Sequence, residues 1–114
     1  MQDHDNLTDR TSALSALTAI FDGKWKLFVL FELAYSGEMT FGQIHRAIPG
    51  IRQKGLTSAL RSLEAAALVH RNVISTRPIR VAYRVTVRTQ NALPLVKELA
   101  GMLFTEVESN RQCA

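Results

Sequence analysis

Gln53, Lys54, Thr57, Ser58 and Arg61 fall at i, i+1, i+4, i+5 and i+8, a spacing that puts five hydrogen-bonding side chains on one strip of a helix. The chemistry open to such a strip is pairing with base edges. An amide bonds adenine bidentately, a guanidinium or ammonium bonds guanine, and hydroxyls serve bases or phosphates. Arg77 and Arg80 flank Pro78, and Arg46 and Arg52 flank Pro49-Gly50, so four guanidiniums stand beside turns where they can hold phosphate. An ordinary solvated helix face carries the same residue types, so the elements around the strip decide between the two readings.

Other chemistries lack their residues. There is no G-x-S-x-G elbow, no phosphate-cradling glycine loop and no paired acidic motif, so an enzyme is not expected. His4, His45 and His70 have no metal-ligand spacing, and the single cysteine, Cys113, excludes an internal disulfide and a Cys-based zinc cluster. No cofactor is expected. Trp25, Phe28, Phe31 and Phe41 recur at spacings that suit core packing better than a cofactor box.

The chain has 114 residues, 46% hydrophobic and 21% charged, which suits one folded domain and excludes a disordered chain. Its greasiest stretch, Leu27 to Ala34, is broken by Glu32 and is too short to span a membrane, and the acidic N-terminus is unlike a secretory signal, so a cytoplasmic protein is expected. The net charge is +4 and the pI 9.7. From Lys24 to Arg88 eleven basic residues face three acidic ones, whereas the two ends are net acidic. A polyanion-binding body with separate helical ends accounts for that split.

The elements follow from periodicity. Residues 1–9 are polar and read as a flexible segment, and Leu14, Leu17, Ile20 and Phe21 mark a first helix from Arg10. Asp22 is placed to cap a second helix from Lys24 to about Tyr35, apolar nearly all round and expected to be the spine of the core. Met39 to Phe41 could pair as a tiny strand. Thr40 and Gln43 have capping-box spacing for a short helix from Phe41 to Ala47. After the Pro49-Gly50 turn, Leu56, Leu60, Leu63 and Ala67 define a fourth helix, Gln53 to Ala67, whose other face is the polar strip. The period then drops to two over Leu68 to Ser75 and Ile79 to Val87, giving a hairpin around Thr76-Arg77-Pro78. Thr86 can cap a last helix from Val87 to about Glu108, and residues 109–114 read as a flexible tail. Mainly α with a small β-hairpin in this order is the winged helix-turn-helix arrangement, occupying 10–108.

Six motifs in order, Gly23-Lys24-Trp25-Lys26-Leu27, Phe41-Gly42-Gln43-Ile44, Ile48-Pro49-Gly50-Ile51, Gln53-Lys54, Leu60-Arg61-Ser62-Leu63-Glu64 and Tyr83-Arg84-Val85-Thr86, resemble the HxlR family of bacterial transcription regulators. The resemblance spans roughly Thr11 to Leu99. It implies a MarR-like homodimer on double-stranded DNA with a dyad-symmetric operator. The fourth helix would be the recognition helix, the hairpin the wing, and the first and last helices the dimer contacts. Four departures stand out. Arg52 replaces the usual Ser or Thr cap of the recognition helix, Gly55 replaces a larger apolar residue, Thr89 replaces a Gly, and no cysteine precedes the first helix near Thr11 or Ser12, where redox-sensing members carry one.

The last helix carries two apolar stripes, one with Leu93 and Leu103 and the other with Leu95, Leu99 and Met102. One small core cannot use both. Leu14, Leu17, Leu95, Leu99, Met102 and Leu103 are therefore the expected dimer contacts. Without a thiol switch, a response to a signal would use a small apolar effector among Leu14, Leu17, Trp25, Phe28 and Leu99, a volume that packed core fills equally well. The alternative function, a winged-helix protein-interaction module, would place exposed apolar anchors where this chain has the polar strip.

Overall fold

The computed structural model describes residues 7–113. The elements run α1 (Leu7–Phe21), α2 (Lys26–Ser36), β1 (Met39–Thr40), α3 (Phe41–Ala47), α4 (Gln53–Ala65), β2 (Val69–Thr76), β3 (Ile79–Val85) and α5 (Val87–Cys113). The strands form an antiparallel sheet in the order β1-β3-β2, the winged-helix arrangement expected from the sequence. Met1 to Asn6 of the expected flexible N-terminus, His4 among them, and Ala114 lie outside the described residues.

The core is built from Val29, Leu30 and Leu33 of α2, Ile44 of α3, and Leu56, Leu60 and Leu63 of α4, closed by Leu68, Val69 and Leu93. α3 starts where the capping box requires. The Gln43 amide donates to Thr40 Oγ1 at 3.3 Å, and the Thr40 amide donates to Gln43 Oε1 at 2.8 Å.

Several boundaries differ from the sequence reading. α1 begins at Leu7, ahead of Arg10. Asp22 does not cap α2. Its amide donates to the Thr18 carbonyl at 2.8 Å and so closes the last turn of α1, and Gly23 at φ +89° ends it in the left-handed conformation that glycine adopts without strain. α2 starts at Lys26, with Trp25 in the cap position and no side-chain cap. It buries only one face, because Phe28 is 57% exposed and Tyr35 is exposed, so Phe28 leaves the expected aromatic core while Trp25, Phe31 and Phe41 pack against it.

α4 ends at Ala65, short of Ala67, in a Schellman turn: the Leu68 amide donates to the Leu63 carbonyl (2.9 Å) and the Ala67 amide to the Glu64 carbonyl (3.0 Å). Ala67 takes the left-handed position at φ +61°. Residues at the entry to α5 hold this corner. Thr86 Oγ1 donates to the Ala67 carbonyl (3.0 Å), and the Arg88 guanidinium donates to the carbonyls of Ala66 (3.0 Å) and Ala67 (3.3 Å). Thr86 also caps α5 as expected, accepting from the Thr89 amide at 3.4 Å, and the Thr89 side chain is buried with its hydroxyl 2.9 Å from Thr86 Oγ1.

α5 runs past Glu108 to Cys113, through most of the segment read as a tail, with Pro94 inside it. Its first turns alone join the core: Thr89 and Leu93 are buried, whereas Leu95, Leu99, Met102, Leu103 and Phe104 are exposed. The radius of gyration of 17.0 Å exceeds the roughly 13 Å of a compact chain of this length.

An alanine in the left-handed region costs about 1–2 kcal/mol, part of which glycine loses again to its freer unfolded chain. Ala67→Gly is therefore expected to stabilise the protein by about 0.5–1 kcal/mol, read as a higher denaturant midpoint with an unchanged slope.

Candidate nucleic-acid interface

The five strip residues converge. Gln53, Lys54, Thr57, Ser58 and Arg61 together line a shallow surface hollow of about 540 Å³ along the N-terminal half of α4. Four are exposed and Thr57 is half-buried. Thr57 Oγ1 donates to the Gln53 carbonyl at 2.9 Å, which spends its proton on the helix and leaves the oxygen lone pairs and the methyl group to face a partner.

Arg52 occupies the N-cap position of α4 with no side-chain cap, and the first helical bond is from the Leu56 amide to the Arg52 carbonyl at 2.9 Å. The amides of Gln53, Lys54 and Gly55 thus stay without helical partners, and with no acid in the first turn this helix end is electropositive. Arg46 and Arg52 are exposed on either side of the Pro49-Gly50 turn. Among the described residues, the side chains of Arg46, Arg52, Lys54, Arg61, Arg77 and Arg80 make no hydrogen bond or ion pair. Uncompensated positive charge of this density has low energy only in water or beside an anion.

The hairpin tip is pinned by Ser75 Oγ, which donates to the Pro78 carbonyl at 2.9 Å, and Arg77 and Arg80 are exposed around it. A second groove, of about 570 Å³, separates α4 from the hairpin, with Thr57, Arg61 and Glu64 on one wall and Arg71, Ile79 and Tyr83 on the other. Arg71 and Ile79 were not selected from the sequence. Their place in the groove depends on strand register, which one β-bulge between Val73 and Ser75 shifts by a residue. Arg88, counted with the basic surface, instead serves the end of α4.

Of the residues expected around an apolar effector, Phe28 and Leu17 line different hollows. Trp25 and Phe28 touch, with ring centroids 5.7 Å apart. Phe28 lines a hollow of about 490 Å³ on α2 with Leu27, Phe31 and Tyr35. Leu17 lines another, of about 400 Å³, with Ile20, Leu68 and Thr89. His45 stacks on Phe41 with centroids 6.4 Å apart, and among the described residues no cluster of His, Cys, Asp or Glu could hold a metal ion.

Comparison with known proteins gives a consistent picture. The family model described as HxlR-like helix-turn-helix matches residues 20–110. The chain is 35% identical over 81 residues to the uncharacterized HTH-type transcriptional regulator YdzF of Bacillus subtilis, covering 71% of this chain and 74% of that protein. It is 40% identical over 90 residues to an uncharacterized HTH-type transcriptional regulator of Methanothermobacter thermautotrophicus, covering 77% and 68%. A crystal structure from Enterococcus faecalis V583, described as a transcriptional regulator of the MarR family, superposes with a TM-score of 0.76 at 33% identity, covering 95% of this chain and 98% of that one.

Gly55 lies inside α4 on the side that meets Trp25. A methyl group there would find Ile51 Cγ1 and Trp25 Cδ1 at 3.9 Å, ordinary contact distance. Gly55→Ala is accordingly expected to stabilise the domain by about 0.5–1 kcal/mol and raise its melting temperature by several degrees, measured by calorimetry.

Proposed function

The chain belongs to the HxlR-like helix-turn-helix family of transcription regulators, and from that membership we propose that it binds double-stranded DNA as a homodimer at a dyad-symmetric operator. The convergence of Gln53, Lys54, Thr57, Ser58 and Arg61 on one open face of α4 carries this reading. Such a face presents both the bidentate donors and the hydroxyls that base edges require. Arg46, Arg52, Arg77 and Arg80 hold phosphate around it. A protein-interaction module is disfavoured because the face lacks apolar anchors.

The second copy is argued from α5. The helix is about 40 Å long at 1.5 Å per residue, and its Leu95, Leu99, Met102, Leu103 and Phe104 lie open, as do Leu14 and Leu17 on α1. Pairing these stripes across a two-fold axis hides them and sets the two recognition helices about one DNA turn, ~34 Å, apart. Regulation by a small apolar effector belongs to the same proposal. The hollow lined by Leu17 lies where α1 meets the start of α5, so a ligand there biases the angle at which α5 leaves the body. Cys113, at the far end of α5, is remote in sequence from α4 and from the usual position of a redox-sensing thiol.

Two expected outcomes test the reading. On an operator selected from a random duplex pool, Gln53→Ala changes preference at one symmetric pair of positions, by about 1–3 kcal/mol against the preferred base, whereas Arg80→Ala weakens all duplexes alike and lowers the salt slope by about one. A Gln53→Ala protein with unaltered preference would remove Gln53 from the base readers, and no enrichment of a dyad-symmetric site would remove the operator reading. Leu99→Glu is expected to abolish dimer and operator binding together. Sedimentation of the unmodified chain as a monomer at micromolar concentration would exclude the dimer.

A further inference from the structure

Among the described residues, Leu93 is the last along the chain that belongs to the core or packs against it. Up to that point α5 is tied to the body. Thr86 caps its first turn, Arg88 donates to the carbonyls of Ala66 and Ala67, and Thr89 and Leu93 are buried. The residue at which the helix leaves is Pro94, itself exposed. Proline has no N–H to give the Gln90 carbonyl, and its ring crowds that same carbonyl, so the helical ladder is interrupted one position past the last core contact. Sharp bends in long helices concentrate at such positions. The stretch from Pro94 to Cys113 is about 30 Å long, and its Leu95, Leu99, Met102, Leu103 and Phe104 are open.

Resting on the reading of α1 and α5 as dimer contacts, we propose that Pro94 is a hinge between the body that carries α4 and the dimer-forming part of α5, and that it sets which half-site spacings the chain accepts. One base pair added or removed between half-sites shifts them by ~3.4 Å and turns one against the other by ~35°. A rigid two-fold dimer cannot follow that change, because its α4 helices would leave their grooves. Two hinges related by the two-fold axis share it, at about 17° each, less than the kinks above about 20° that proline produces in helices. Pro94 lies outside α4 and the hairpin, so it acts on spacing and leaves the reading of each half-site to α4. Gly101, the glycine of α5, lies about two turns farther out, beyond the boundary with the body.

The test uses the full chain, its selected operator, and versions of that operator with one base pair inserted at or deleted from the centre, with affinity measured by fluorescence anisotropy. The unmodified chain is expected to bind all three within about fivefold. Pro94→Ala restores the N–H to the Gln90 carbonyl, so each subunit must break that bond to bend. It should keep the dimer and its affinity for the selected operator but lose about thirtyfold on the altered spacings, the equivalent of two bonds of about 1 kcal/mol. Pro94→Gln restores the same N–H with another side chain and should narrow the range alike. Gly101→Ala stiffens α5 away from the boundary, where a methyl group meets nothing within 4 Å, and should leave the range unchanged. The proposal is overturned if the unmodified chain accepts a single spacing, if neither Pro94 variant narrows the range, or if Gly101→Ala narrows it as much. An unmodified chain that sediments as a monomer or selects no dyad-symmetric site would instead overturn the dimer reading beneath it.

Discussion

The corner between α4 and β2 is the constraint on which the rest of the molecule depends. There the last carbonyls of α4 lose their helical partners, and the chain reverses through Ala67 in a conformation that costs an alanine about 1–2 kcal/mol. Thr86 and Arg88 arrive from the far end of the hairpin and donate to those carbonyls. Water screens the exposed Arg88, so its bonds contribute toward the low end, about 1 kcal/mol. Their geometric effect is larger than that figure suggests. One small network fixes the end of α4, the root of the hairpin and the start of α5, so the polar face of α4, the groove beside it and the direction of α5 share one reference point.

The electrostatics of α4 trade helix stability against affinity for an anion. A Ser or Thr at position 52 would satisfy an orphan amide at a gain of about 1 kcal/mol. Arg52 forgoes that and leaves free amides and an added cation at the helix end. Gly55 weakens the helix further, although a methyl group there would meet Trp25 and Ile51 only at ordinary contact distance. The surrounding cations lack partners within the described residues, so α4 and the hairpin keep their charge available to a polyanion.

The apolar bookkeeping is unbalanced in a complementary place. α2, α3 and α4 bury their apolar faces against one another, yet the distal part of α5, much of α1 and one face of α2 do not. A core built from three short helices and a small sheet has one surface left for α5, and Thr89 and Leu93 fill it. Everything beyond must be covered by another molecule or remain in water at a cost of roughly 25 cal/mol per Å².

Periodicity and local chemistry were enough to determine the order of elements, the capping box at Thr40, the cap at Thr86, the buried Leu56, Leu60 and Leu63 row, and the polar strip of α4. Each depends on residues within a few positions of one another, and backbone geometry alone brings those together. The ends of helices were less legible, because Asp22 could have capped α2 or closed α1 and Ala67 continued the apolar period past the point where the chain turned. Only the tertiary structure decided that Phe28 lies open, that Arg88 serves the corner, that Phe28 and Leu17 line different hollows and that Arg71 rather than Arg84 faces α4. Those outcomes hang on strand register and on which face of each helix meets a neighbour, and both are set by contacts between residues far apart in the chain, where a shift of one position turns a side chain to the opposite face.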